Sequence, residues 1–231
     1  MMRQIISTKK LTEQELIHAR SLSQEVICFD VIQTEALPFS ISHAVQFDSL
    51  AFTSVNAVTY FLADEQALLL LAHKTIFSIS GKTTKSLLDK GFKAITTADN
   101  ALQLAAKIKQ SAAVSVLHPC SSIRLNDLEK ELDKSGIHYI PVPVYTTNFI
   151  DVKIDAKEYD ALLFFSPSGA ESFLNQNKIA PNAICCCIGE TTARFLQAQQ
   201  CNNHIIYPAS PSVFDMLSLV ANHINFKHTH D

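Results

Sequence analysis

One strand-to-loop-to-helix pattern is written twice in this 231-residue chain. Phe52-Thr53-Ser54-Val55-Asn56-Ala57 returns 113 residues later as Phe165-Ser166-Pro167-Ser168-Gly169-Ala170. Ser80-Gly81-Lys82-Thr83-Thr84 returns 108 residues later as Ile188-Gly189-Glu190-Thr191-Thr192. A loop difference of five residues absorbs the gap between the two offsets. A repeat of this length restricts the chain to two similar lobes, and lobes of this kind bind ligands in the cleft between them.

Short apolar runs alternate with amphipathic stretches along both halves. Strands are expected at 4–7, 26–32, 50–53, 75–79, 94–96, 114–117, 161–165, 183–188 and 204–207, with 138–144 extended. Thr12-Glu13-Gln14-Glu15 reads as a capping box opening a helix to about Leu22. Further helices are expected from Ser54, Thr83, Ala101 (capped by Asp99), Leu125, Ser168 and Gly189, and from Ser210 with Pro211 at the first position. Such alternation predicts an α/β fold with parallel sheets flanked by helices, and right-handed crossovers then place the strand-to-helix loops along one edge of each sheet. The stretches Gln33–Ala36 and Tyr145–Asn148 fall at matching places and read as paired connectors. If the chain crosses at both, sequence halves and spatial lobes differ.

Composition narrows the function classes. A net charge of −3 argues against nucleic-acid binding, which needs a basic face. The longest apolar run, Ala67 to Ala72, is too short to span a bilayer, and the start lacks a signal-peptide layout, so a cytoplasmic, membrane-free monomer is expected. The six cysteines show no C-x-x-C spacing; Cys185-Cys186-Cys187 read as small hydrophobes in a buried strand. His223, His228 and His230 read as part of a frayed polar terminus rather than as metal ligands. Five glycines assemble neither a dinucleotide fingerprint nor a P-loop, and there is no nucleophile elbow or clustered metal set. Cofactor-free chemistry or simple binding remains.

The repeated loops carry Ser, Thr, Asn and Gly where strands hand over to helices. Hydroxyls there are ordinary caps in any α/β protein. Several helix N-termini facing one ligand would nevertheless hold carboxylates without many basic side chains, which reconciles an anionic ligand with a negative chain. The adjacent hydroxyls of Thr83-Thr84 and Thr191-Thr192 exceed what capping requires.

Phe-Thr-Ser-x-Asn-Ala-Val at 52–58, Val-Tyr-x-Thr at 144–147, Phe-Phe-Ser-Pro-Ser-Gly at 164–169 and Ile-Gly-x-Thr-Thr-Ala at 188–193 together resemble the uroporphyrinogen-III synthase family, in order and over nearly the whole chain. The resemblance implies two flavodoxin-like lobes joined by a two-stranded connector at about 33–37 and 145–148. One lobe would combine 1–34 with 149–231, and the other would span 38–144. It implies hydroxymethylbilane as substrate, no cofactor, and dehydration and cyclisation with inversion of ring D through a spiro intermediate. It implies Tyr145 as a general acid, with Ser54, Asn56, Thr83, Thr84, Ser166, Ser168, Gly169, Thr191 and Thr192 as substrate-binding residues. Val55, Glu190 and Glu171 depart from common family residues, and the two glutamates add negative charge beside the loops. From the residues alone, a non-catalytic two-lobed binder of a small anion is the alternative.

Overall fold

The computed structural model describes residues 2–41, 46–69, 71, 73–154 and 159–227, with the backbone alone from 225 onward. Its internal contacts divide the chain into two units: Met1–Gln33 with Asn148–Asp231, and Thr34–Thr147.

The first unit is built on β1 (Arg3–Ser7) and β2 (Gln24–Cys28). Strands β9 (Ala161–Phe164), β10 (Ile184–Cys187) and β11 (Ile205–Ile206) complete its sheet, in the order β11-β10-β9-β1-β2 with every pair parallel. Strand side chains alternate between two apolar layers, as the period of two demands. Ile5, Ala161, Leu163 and Cys186 pack with α1 (Glu13–Ser21) and α9 (Val213–Lys227). Ile6, Leu162, Phe164, Cys185 and Cys187 face the layer of α7 (Pro167–Gln176) and α8 (Glu190–Ala198). Full burial of a side chain such as Phe164 contributes roughly 1.5–3 kcal/mol.

The second unit repeats this plan. Its strands β4 (Ser49–Phe52), β5 (Thr75–Ile79), β6 (Ile95–Ala98), β7 (Ser115–Ser121) and β8 (His138–Phe149) are ordered β8-β7-β4-β5-β6, again in parallel pairs. Leu50, Phe52, Ile76 and Leu117 pack with α2 (Val55–Phe61) and α4 (Lys82–Asp89). Ala51, Phe77 and Val116 pack with α5 (Ala101–Lys109) and α6 (Asp127–Asp133). A short α3 (Glu65–Leu69) was not expected from the sequence. If the first unit is counted from β9, the two sheets have one strand order, so the repeat pairs β4 with β9, β5 with β10 and β6 with β11.

That pairing shifts the repeat by one residue. Phe52 and Phe164 each end their strand, and Ser54 and Ser166 each cap the following helix. The first offset is therefore 112, because Phe164-Phe165 offers two phenylalanines and the aligned one is the earlier. The second offset of 108 stands, with Gly81 and Gly189 as matched N-caps.

Several boundaries differ from expectation. The strand expected over 26–32 stops at Cys28, which pairs with Ser7, the last residue of its partner β1; beyond it Asp30 accepts the Lys10 N–H at 2.8 Å. The chain resumes as β3 (Ile32–Ala36) beside β8, with Leu37 N–H donating to the Val144 carbonyl and Ile150 N–H to that of Val31. Those bonds make the pair antiparallel, and both unit boundaries fall inside these two strands. Asn100, not Asp99, caps α5, accepting from Gln103 N–H at 2.9 Å. Ser212, not Ser210, accepts from the first turn of α9, which leaves Pro211 ahead of the helix. His223 lies inside α9 with Nδ1 2.9 Å from the Leu219 carbonyl, so it is not a frayed end; His228 and His230 lie outside the described residues.

Candidate functional site

In the second unit the loop after β4 carries Thr53 and Ser54. Ser54 is extended and its Oγ accepts the Ala57 N–H at 3.1 Å, which satisfies one orphan donor of α2. The same Oγ lies 3.1 Å from the hydroxyl of Tyr145 on β8. The Tyr145 ring stacks on Tyr60 with centroids 5.5 Å apart, and Tyr60 donates to the Thr34 carbonyl at 3.0 Å. Tyr145 is 7% exposed. Burial pushes its pKa above the ordinary 10.0, while the Ser54 hydrogen bond pulls the other way. The phenol is therefore protonated at neutral pH. Asn56, in the first turn of α2, is half-buried.

Thr83 and Thr84 open α4 but do not act alike. Thr83 is buried, and the Thr84 hydroxyl donates back to the Ile79 carbonyl at 2.9 Å and lies 3.2 Å from the Ser78 hydroxyl. This ties the helix start to its own strand. Gly81, ahead of them, has φ +79°, a conformation that side chains resist.

In the first unit Ser166 caps α7, accepting the Gly169 N–H at 3.0 Å, and its hydroxyl lies 3.2 Å from that of Ser168. A Cβ on Gly169 would sit 3.2 Å from Ser166 Oγ, so glycine permits the cap to close this tightly. Thr191 is exposed whereas Thr192 is buried. Glu190, placed beside these hydroxyls, pairs with Arg194 at 2.6 Å one turn on, which offsets its charge locally. Gly189 is extended at φ −176°, unlike its counterpart Gly81.

Sequence reasoning passed over one buried network. His118 on β7 is 3% exposed; its Nε2 lies 2.9 Å from the Thr53 hydroxyl and its Nδ1 2.6 Å from the Tyr139 hydroxyl. Arg124, which pairs with Glu129 at 3.1 Å, acts electrostatically on both His118 and Tyr139. Burial, helped by the Arg124 cation, drives the His118 pKa down to about 3, so the imidazole is neutral. Burial pushes Tyr139 up to about 12. No local motif joins residues 53, 118, 124 and 139, and His118 and Tyr139 lie in strands that carry other polar residues, so neither stands out. Among the described residues no cluster of His, Cys, Asp or Glu is suited to a metal ion, and no helix is long and apolar enough to cross a membrane.

The fold and these loops define a class: an α/β protein of two parallel-sheet units, each carrying capped, hydroxyl-bearing strand-to-helix loops, with one buried tyrosine bonded to a cap. Comparison with known proteins narrows it. The family model for uroporphyrinogen-III synthase HemD matches residues 14–218, and the chain belongs to that family. It is thus an enzyme of tetrapyrrole biosynthesis and a hydro-lyase. The fold is shared with uroporphyrinogen-III synthetase from Helicobacter pylori, at 22% identity and a TM-score of 0.69, covering 96% of this chain and 100% of that one. It is shared too with a mutant uroporphyrinogen III synthase from Thermus thermophilus, at 16% identity and a TM-score of 0.68, covering 97% and 99%. No curated protein sequence matches significantly.

Proposed function

We propose that the chain converts hydroxymethylbilane to uroporphyrinogen III without a cofactor, with Tyr145 as general acid. The observation that carries this reading is the Tyr145–Ser54 hydrogen bond at a strand-to-helix loop in a chain of this family. Tyr145 donates its proton to the departing ring A hydroxyl, which leaves as water. A protonated phenol suits that step, and the bond to Ser54 holds the acid in one orientation.

Departure leaves a resonance-stabilised azafulvene cation. Ring D attacks it at its substituted carbon, and the spiro intermediate then reopens and recloses with ring D inverted. Loss of a proton from the reclosed ring returns the proton that Tyr145 gave, so the net change is loss of one water. The uncatalysed bilane closes without inversion, so the catalyst's main task is orientation of a flexible chain. Tighter holding of the spiro arrangement than of the bilane supplies the rest.

The substrate's carboxylates are proposed to be held by donors of both units: Ser54, Asn56 and the helix-start backbone N–H groups of Thr83 and Thr84 from one, and Ser166, Ser168, Gly169, Thr191 and the backbone N–H of Thr192 from the other, since the Thr84 hydroxyl is bonded to the Ile79 carbonyl and Thr83 and Thr192 are buried. The N-termini of α4, α7 and α8 favour anions there. A monomer acting in the cytoplasm is proposed. The buried thiols of Cys185, Cys186 and Cys187, all raised in pKa by burial, suit a reducing compartment.

The test is turnover of freshly prepared hydroxymethylbilane with the type I and type III isomers separated. Type III product supports the reading; type I alone, at the spontaneous rate, overturns it.

A further inference from the structure

We propose that a one-residue bulge in β8 turns Tyr145 toward Ser54, and that Ser122 is the positioning residue that holds this bulge. The inference rests on the reading of Tyr145 as the general acid. It follows from a break in the alternation of β8.

Ile140, Val142 and Val144 pack in the layer of α2 and α4, and Tyr139 packs in that of α5 and α6. A period of two would therefore send Tyr145 to the second layer with Tyr139. It lies in the first instead, against Tyr60 and Ser54. The pairing with β7 accounts for this. Cys120 lies opposite Pro143 and Ser121 opposite Tyr145, so Val144 is an extra residue without a partner on β7. An extra residue of this kind bends its strand and re-aims the side chain beside it. Val144 and Tyr145 are both buried in one layer as a result. In the unshifted register Val144 would lie opposite Ser121 and Tyr145 opposite Ser122, with the phenol on the far side of the sheet from Ser54. Bonds on both flanks of β8 select against that register. Leu37 N–H, on the β3 side, donates to the Val144 carbonyl at 3.0 Å, and Ser122 N–H, on the β7 side, donates to the Tyr145 carbonyl at 2.8 Å. The Ser122 hydroxyl also donates to Thr146 Oγ1 at 2.9 Å, which ties the residue after Tyr145 to the same loop. Ser122 thus grips β8 twice, at the acid and one residue beyond it.

Through-space proton NMR of the full chain with labelled tyrosine reads the orientation without turnover. Cross-peaks between the Tyr145 and Tyr60 rings are expected. Cross-peaks from Tyr145 to Leu128 or Leu132 of α6 instead overturn the bulge. Kinetics with hydroxymethylbilane form the second arm. Ser122→Ala removes an exposed hydroxyl and leaves the Ser122 N–H in place, so the chain should fold. It should lower kcat for type III product about three- to tenfold, as loss of one hydrogen bond implies, with KM unmoved because the acid acts only in the transition state. Thr146→Val should do the same, and Ser122→Thr and Thr146→Ser should restore kcat. Adding Ser122→Ala to Tyr145→Phe should cost nothing further, because Ser122 acts only through Tyr145. A loss that multiplies with that of Tyr145→Phe contradicts the proposal. A lowered unfolding midpoint in Ser122→Ala with kcat unmoved marks a purely structural serine and contradicts it too. If Tyr145→Phe lowers type III turnover while Ser122→Ala and Thr146→Val do not, this inference alone sinks. If Tyr145→Phe retains full turnover, the general-acid reading beneath it sinks.

Discussion

The hydroxyl of Tyr145 lies 3.1 Å from that of Ser54, and Ser54 at the same time caps α2 through the Ala57 N–H. One oxygen thus links the fold's local accounting of helix donors to the proposed acid. Tyr145→Phe removes only the outer end of that link. The ring stays stacked on Tyr60, so folding should be retained. Type III yield should fall steeply in a product-isomer assay. Unchanged turnover would remove Tyr145 from the mechanism. Because burial raises its pKa, any loss of activity through its ionisation should appear only above the usual value of 10.0.

Ser54→Ala and Ser166→Ala delete matched caps. Each should cost about 1 kcal/mol in denaturant unfolding. Ser54→Ala should also lower type III yield, since it strips Tyr145 of its partner. A Ser54→Ala enzyme with normal yield would show that the bond does not orient the acid.

The matched glycines should respond differently to alanine. Gly81 sits at φ +79° and ψ −130°, so Gly81→Ala should destabilise by about 1–3 kcal/mol. Gly189 is extended and its Cβ position is open, so Gly189→Ala should be nearly neutral. Equal melting shifts for the two variants would contradict the assigned backbone geometry.

The alternation of elements was legible because each sheet is covered on both faces, which writes strands as short apolar runs such as Ile184–Cys187. The hydroxyl-bearing loops were legible because caps need particular residue types. The register of the repeat was not, since Phe164 and Phe165 read alike and only the end of β9 separates them. Nor was the behaviour of the threonine pairs: the Thr84 hydroxyl is spent on the Ile79 carbonyl, while Thr191 is exposed. The His118 network was invisible because its members meet only when β7, β8 and the loop after β4 come side by side. The break after Cys28 falls where its partner β1 ends at Ser7, a pairing no periodicity announces.

Acid sensitivity follows from two groups. His118, neutral in the fold to about pH 3, gains a proton when unfolded below its ordinary 6.5. Between those values the unfolded chain binds more protons, so stability is full above 6.5 and falls as pH drops toward 3. The groups facing it are Thr53, Tyr139 and the Arg124 cation, and protonation would place two cations together. The loss should reach on the order of 3 kcal/mol by about pH 4, and His118→Leu should flatten this part of the profile. Glu131, held down to about 2 by Lys109 and Lys134, adds a second loss as pH falls from its ordinary 4.5 toward 2, which Glu131→Gln should abolish. A flat unfolding midpoint from neutral pH to the acid range would contradict both assignments.

The central claim is that this chain directs ring closure with inversion, not closure alone. The ratio of type III to type I uroporphyrinogen formed from fresh hydroxymethylbilane tests it most directly. The account predicts type III as the dominant isomer, with the ratio falling toward the spontaneous one in Tyr145→Phe. Type I product alone from the unaltered chain, formed no faster than in its absence, would contradict it.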